Sequence, residues 1–228
     1  GLAAASHALS SVPPDETGDP VLARYGDAIG GRWLGYLSST GVYGDTGGAW
    51  VDESAPIGGG RREARAAADA AWLARGARVF RLPGIYGPGR SPLDRLRSGA
   101  ARRVDAPDQV FSRVHVADIA RGVIAGLHAP AGAYNLADDL PAGQDAVLAY
   151  GCALLGLPLP PVAALADLSP AAREFYSENR RIANGKAKRV LGWRPLYPDY
   201  RAGLRAVSAI TSPTPASAPP PIASADHR

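Results

Sequence analysis

Three hydroxyl side chains in succession, Ser38, Ser39 and Thr40, follow the apolar run Trp33-Leu34-Gly35-Tyr36-Leu37. The run reads as a buried strand, and in an open parallel sheet ligands bind beyond the C-terminal ends of the strands. A plainer use stands beside that one, a strand-ending serine that bonds the turn after it. A second run, Arg78-Val79-Phe80-Arg81-Leu82, is followed by Pro83-Gly84-Ile85-Tyr86-Gly87-Pro88-Gly89-Arg90. Glycines in that loop let backbone approach a ligand closely, or simply serve a Gly/Pro turn. Arg90 has the planar fork to hold a phosphate through two hydrogen bonds, or stays solvated. Tyr43, Asp45, Tyr86 and His115 are acid/base candidates by position alone. The one cysteine, Cys152, excludes a disulfide framework and reads as a small buried hydrophobe rather than a nucleophile.

These residues need elements to hold them. Ala8–Val12 reads as a strand stopped by Pro13-Pro14, and residues 20–30 have helical composition. Residues 61–75 are Ala-rich without Gly or Pro and stop before Gly76, which predicts a helix. Strand, helix and strand at this spacing make a parallel crossover unit. Further along, Leu93–Arg97 reads as a helix, Gln109–His115 as extended, and Asp118 as the N-cap of a helix running to Leu127. Tyr134–Leu136 reads as a strand. Residues 143–155, 170–179, 185–191 and Tyr200–Ile210 read as helices. The expected fold class is α/β, a parallel sheet flanked by helices, and the Pro/Ala/Ser-rich stretch 211–228 is expected to be a disordered tail.

Composition narrows the function classes. The 228 residues are 46% hydrophobic and 20% charged, within the range of a globular domain rather than a disordered chain. No stretch of about 18 uncharged apolar residues occurs, so no membrane partner is expected. The net charge of +4 comes almost entirely from Arg, with Lys only at Lys186 and Lys188. That charge suits an anionic ligand, and no basic run with interleaved aromatics points to nucleic acid. Cysteine usage fits a reducing, cytoplasmic setting. The first residues lack a basic region followed by an apolar run, so a signal peptide is not expected.

Four segments, in order, carry a resemblance. They are Ser38-Ser39-Thr40-Gly41-Val42-Tyr43-Gly44, Arg81 to Arg90, Val114-His115-Val116-Ala117-Asp118-Ile119-Ala120, and Tyr134-Asn135-Leu136-Ala137-Asp138. Together they resemble the extended short-chain dehydrogenase/reductases of the NAD-dependent epimerase/dehydratase kind, over residues 6 to 209. The resemblance implies an α/β fold with a partial Rossmann-type parallel sheet flanked by helices and a small C-terminal α/β substrate lobe. It makes residues 1–90 the C-terminal part of an NAD(P)-binding Rossmann domain and residues 91–210 the substrate lobe with returning Rossmann elements. Gly47–Glu53 and Ser177–Arg181 look most like an atypical bacterial subgroup. The resemblance implies an NAD(P)-dependent oxidoreductase or epimerase acting on a small or nucleotide-linked carbonyl or hydroxyl substrate, with NAD or NADP as cofactor. It makes Ser39 the catalytic hydroxyl on the substrate oxygen, with Thr40 and Arg90 on the substrate. Ser38, Arg65, Pro83, Gly84, Ile85 and Tyr86 fall on the cofactor side. His115 and Asp118 brace the junction between the two lobes. The expected partners are a small-molecule substrate and, for assembly, a second copy in a homodimer.

The chain departs from the family at two places. It has no G-x-G-x-x-G turn to hold a pyrophosphate at a helix N-terminus. Its first strand resembles the family's fourth, so an N-terminal truncation on the order of 70–90 residues is expected, at about 30 residues per strand–helix unit. The absence of any Met points the same way. Between Val51 and Ile85 there is also no Tyr and no Lys, hence no Tyr-x-x-x-Lys. Arg61 and Arg65 fall near those places, or Ala64 and Ala68 in a gapless count. Arg does not shuttle protons at neutral pH. Arg65 is left to bond a ribose or phosphate, or to lie on a solvated helix face. Two alternatives therefore stand: a non-catalytic NAD(P)-binding sensor or scaffold, and an inactive fragment without its dinucleotide motif.

Overall fold

A computed structural model describes residues 2–60 and 62–211. Strand β1 is His7–Ser10, and helix α1 is Pro20–Tyr25. Asp19 caps α1 by accepting from the Val21 and Leu22 N–H groups, with Pro20 in the first turn, where its missing donor costs nothing. Strand β2 is Trp33–Ser39, and its last residues run into a 3-10 turn, Thr40–Tyr43. After β3 (Trp50–Val51) comes helix α2 (Glu63–Ala74), then β4 (Arg78–Leu82) and β5 (Gly84–Tyr86). The second half contains α3 (Pro92–Arg97), β6 (Arg103–Val104), β7 (Arg113–His115), α4 (Val116–Ala125), β8 (Gly132–Asn135) and α5 (Gln144–Leu155). It ends with β9 (Val162–Ala163), α6 (Pro170–Phe175), β10 (Arg181–Ile182), α7 (Gly185–Val190) and α8 (Tyr200–Thr211).

The main sheet is parallel throughout, in the order β1-β2-β4-β8. Three separate short parallel pairs are β5 with β7, β6 with β9 and β10 with β3. A parallel sheet is covered on both faces. On one face Tyr36 of β2 stacks on Trp72 of α2, ring centroids 5.4 Å apart, with Ile29 and Val79 around them. On the other face Phe80, Tyr134, Leu136, Ile119 and Trp193 pack together. A further apolar cluster is built from Leu93, Leu96, Val147, Leu148, Tyr200 and Leu204 with Tyr86. No described helix is long and apolar enough to cross a membrane.

Several sequence expectations are corrected. The first strand ends at Ser10, and Val12 lies outside it; α1 stops at Tyr25 rather than residue 30. Of Gln109–His115 only Arg113–His115 is strand, although Phe111 bridges Ala142. The helix expected over 170–179 ends at Phe175. The loop after β4 contains β5, because Gly84–Tyr86 find a partner in β7. Asp118 is not an N-cap: the His115 side chain caps α4 by accepting from the Ala117 N–H. Asp118 lies inside the first turn and accepts from the Leu196 and Tyr197 N–H groups at 2.6 and 3.1 Å, which ties α4 to the segment before α8. Arg61, and the expected tail beyond Thr211, lie outside the described residues.

Candidate active site at the ends of strands β2 and β4

Neighbouring parallel strands bring the hydroxyl run and the Gly/Pro loop to one edge, since Ser39 is in register with Leu82. Side chains alternate across a strand, so the consecutive hydroxyls do different work. Ser38 is buried and donates to Asp69 Oδ2 at 2.7 Å. Ser39, half-buried, accepts from the Gly41 N–H at 3.1 Å. That bond fixes the Ser39 oxygen and leaves its proton to donate. Thr40 is buried and points its hydroxyl at the Leu82 carbonyl, 3.5 Å away, bridging the two strand ends.

Beneath these residues lies a closed polar network. Arg81 meets Asp69 through two hydrogen bonds, Nε to Oδ2 at 3.0 Å and Nη2 to Oδ1 at 2.8 Å. Arg81 Nη1 donates to the Tyr43 hydroxyl at 3.0 Å, which donates to Asn135 Oδ1 at 2.8 Å. Asn135 in turn donates through Nδ2 to the Ala183 carbonyl, and its N–H goes to Glu53 Oε1 at 2.7 Å. Burial works against the Arg81 cation, but the Asp69 and Tyr43 bonds outweigh it and hold the guanidinium pKa above its ordinary value. Burial raises the Tyr43 phenol despite Arg81. The Tyr43 proton is committed to Asn135, so this residue holds the turn rather than exchanging protons. Burial likewise lifts the Glu53 carboxyl against the pull of the Asn135 N–H.

The cofactor-side candidates separate. Arg65, half-buried in the first turn of α2, donates to the Tyr36 hydroxyl at 3.1 Å. Burial raises the Tyr36 phenol, and Arg65 pulls it back. Pro83, Gly84 and Ile85 are half-buried or exposed and leave backbone within reach at the strand end. The Tyr86 side chain instead packs with Leu93, Leu96 and Leu204, edge-on to His115 at 5.3 Å. Arg90 is exposed at the end of a tight turn closed by hydrogen bonds between Gly87 and Arg90. Asp69 and Glu53 escaped the sequence reading. Asp69 had a signal: it interrupts the apolar stripe Ala66, Asp69, Trp72 of α2 at helical spacing.

A nicotinamide dinucleotide fits these residues in part. The exposed backbone at Gly84 and the oriented Ser39 hydroxyl suit its reacting end and a substrate oxygen. Nothing among the described residues makes a cradle for its pyrophosphate. Gly58-Gly59-Gly60 does other work: a Cβ on Gly60 would stand 2.5 Å from the Gly44 Cα, so the segment packs under the Tyr43 turn.

No family model matches the chain. A 3-diazoavenalumate denitrifying reductase from a Streptomyces species is 30% identical over 138 residues, 55% of this chain and 45% of that protein. The chain thus spans less than half the length of this curated relative. A conserved protein of unknown function from Silicibacter pomeroyi is 48% identical, with a TM-score of 0.86 over 92% of this chain and 79% of its own. A human epimerase family protein solved with NADPH is 16% identical, with a TM-score of 0.70 over 90% of this chain and 82% of its own, a likeness of fold. The chain therefore belongs to one family with the Silicibacter pomeroyi protein, built on the α/β fold of the extended short-chain dehydrogenase/reductases of the NAD-dependent epimerase/dehydratase kind.

Proposed function

We propose that the chain forms the substrate-side part of an NAD(P)-dependent oxidoreductase or epimerase acting on the carbonyl or hydroxyl group of a small or nucleotide-linked molecule. One observation carries the reading: Ser39 is held by the Gly41 N–H at the end of β2, with its own proton left to donate. It stands beside the exposed backbone that begins at Pro83. A nicotinamide supplies hydride chemistry when bound. Ser39 orients and polarises the substrate oxygen. The Arg81–Asp69 pair and Tyr43 keep the turn that carries Ser39 in place, and Thr40 joins it to β4. In this reading residues 91–210 serve the substrate, and the protein works in the cytoplasm as a homodimer. The matched relatives are longer than the matched stretches, and the activity is proposed for the whole protein.

A non-catalytic NAD(P)-binding role is the second reading. It is favoured by the lack of Tyr and Lys between Val51 and Ile85 and by the engagement of Arg65 with Tyr36. Oxidation of NADPH in the presence of a panel of aldehydes, ketones and nucleotide sugars separates the two. Turnover that Ser39→Ala abolishes supports the enzyme. Cofactor binding with no turnover on any of them supports the sensor. Turnover indifferent to Ser39→Ala overturns the role given to this hydroxyl.

A further inference from the structure

The stretch Ser177–Arg181 is remote in sequence from the Ser39 turn and lies against it. Arg180 Nη1 donates to the Gly44 carbonyl at 2.6 Å, across 136 residues of chain, and to Glu178 Oε2 at 3.0 Å. The Arg180 and Glu178 side chains are largely enclosed, at 16% and 6% exposure. Gly44 ends the 3-10 turn Thr40–Tyr43 with φ at 68°, a conformation that favours glycine. Its N–H closes the turn on the Gly41 carbonyl at 3.3 Å. The Gly41 N–H is the group that holds Ser39 Oγ at 3.1 Å. The contacts thus run in series from the Arg180 guanidinium through Gly44 and Gly41 to the Ser39 hydroxyl.

The neighbours of Arg180 set its aim. The Asn179 N–H donates to Asp45 Oδ1 at 2.7 Å, and the Asn179 carbonyl accepts from the Thr46 and Gly48 N–H groups at 3.1 and 2.9 Å. The Asn179 side chain donates to the Asp108 carbonyl at 2.9 Å and accepts from the Val110 N–H at 3.3 Å. Gln109 Nε2 donates to the Glu178 carbonyl at 2.8 Å. Glu178 Oε1 lies under Gly60, where a Cβ would stand 2.8 Å from it. Residues 178–180 are therefore seated on two separate segments, 44–48 and 108–110. The planar guanidinium, already held by Glu178, loses little freedom in reaching Gly44. Asp45, an acid/base candidate by position, is spent in this clasp, since its Oδ1 also accepts from the Gly47 N–H at 3.2 Å.

We propose that Arg180 is a positioning residue for Ser39: by holding the Gly44 carbonyl it keeps the turn closed and the Gly41 N–H on the Ser39 oxygen. The inference rests on the role given to Ser39 under the proposed function and deepens it. Arg180 does not touch the reacting atoms. It fixes the direction in which the Ser39 hydroxyl donates. Arg81 holds the same turn by a side chain, Tyr43, whereas Arg180 holds it by backbone, where the Ser39 bond also lies. The Arg180 bond has an ionised donor, which makes it roughly twice as strong as a neutral one. A misplacement of about 1 Å can cost about 100-fold in rate. A turn that opens part of the time therefore lowers turnover without weakening substrate binding.

Amide hydrogen exchange at Gly41, read by NMR, tests the hold directly, with the Tyr36 amide in the middle of β2 reporting global opening. Arg180→Ala should speed Gly41 exchange about tenfold or more, as expected for loss of a hydrogen bond from a charged donor, and leave Tyr36 exchange unchanged. Arg180→Lys cannot reproduce the planar fork and should fall between, at about threefold. In Ser39→Ala the Gly41 N–H has already lost its acceptor, so Arg180→Ala should add less than about twofold there. Gly41 exchange that stays unchanged, or that rises in step with Tyr36, would overturn the proposal. Should Arg180→Ala fail to fold, Arg180→Lys decides by the same comparison. Where the substrate panel gives turnover, Arg180→Ala should lower kcat about tenfold and change KM less than about twofold. A raised KM at unchanged kcat would instead make Arg180 a binding residue and overturn the positioning role. Turnover indifferent to Ser39→Ala would remove the catalytic reading of Ser39, while Gly41 exchange still judges Arg180.

Discussion

Arg81 and Asp69 face each other across the β4–α2 layer with two hydrogen bonds, and their side chains are 3% and 0% exposed. Ser38 and Tyr43 are the neighbours that complete the pair, so the turn carrying Ser39 rests on it. A cation enclosed in this way depends on its counter-ion.

Asp69→Ala strands the Arg81 charge and should cost about 3–5 kcal/mol of stability, the usual penalty for breaking one side of a buried pair. Urea denaturation reads it. A loss under about 1 kcal/mol would mean that Arg81 finds another partner or water. Arg81→Lys should also destabilise, because an ammonium cannot reproduce the two-point contact and the bond to Tyr43 together.

Ser39→Ala separates the two uses of this hydroxyl. Loss of the bond to Gly41 alone should cost about 1 kcal/mol and leave ligand affinity unchanged. Loss of a donor to the substrate oxygen should, in addition, lower turnover about 100-fold or more. Paired melts and activity assays show which quantity moves.

In the proposed reading the end of β4 meets the reacting end of a dinucleotide, and no G-x-G-x-x-G turn among the described residues cradles its phosphates. Fluorescence titration of the 228-residue chain should accordingly show NADH and NADPH binding weaker than micromolar. Micromolar affinity would reveal a phosphate site elsewhere in these residues. Where turnover is found, its pH profile should lack the limb set by a lysine-lowered phenol, since the helix offers neither residue.

Strand β1 closes one end of the sheet, and Leu9 and Val12 beside its outer edge are 47% and 42% exposed. An open strand edge with apolar neighbours invites pairing with another chain. Light scattering after size exclusion should show association that rises with concentration and falls in Leu9→Lys. A clean monomer at all concentrations would count against it.

The parallel strands β2 and β4, and the segments that follow them, were legible, because apolar runs ending in hydroxyls or in Gly/Pro loops mark parallel strands locally. The roles within the edge were not. Three hydroxyls in a row look equivalent until the strand's alternation sends Ser38 to Asp69 and leaves Ser39 at the turn. Asp118 looked like a cap because aspartates often are, yet the partners that claim it, Leu196 and Tyr197, are far along the chain. Asp138 and Asp139 likewise reach distant carbonyls, of Arg113 and Pro198, which no local pattern records.

The β3–β10 pairing has a kinetic consequence. The turn after Ser39 is braced by Asn135, and Thr46 next to it bonds Asn179, 133 residues away. Closing so long a loop delays its reward in folding. A chain emerging from the ribosome must therefore carry the Ser39 turn braced from β4, through Arg81 and Leu82, but not from beyond it, until β8 and then β10 have been synthesised. The segment that holds the candidate chemistry is thus made well before the partners that set it.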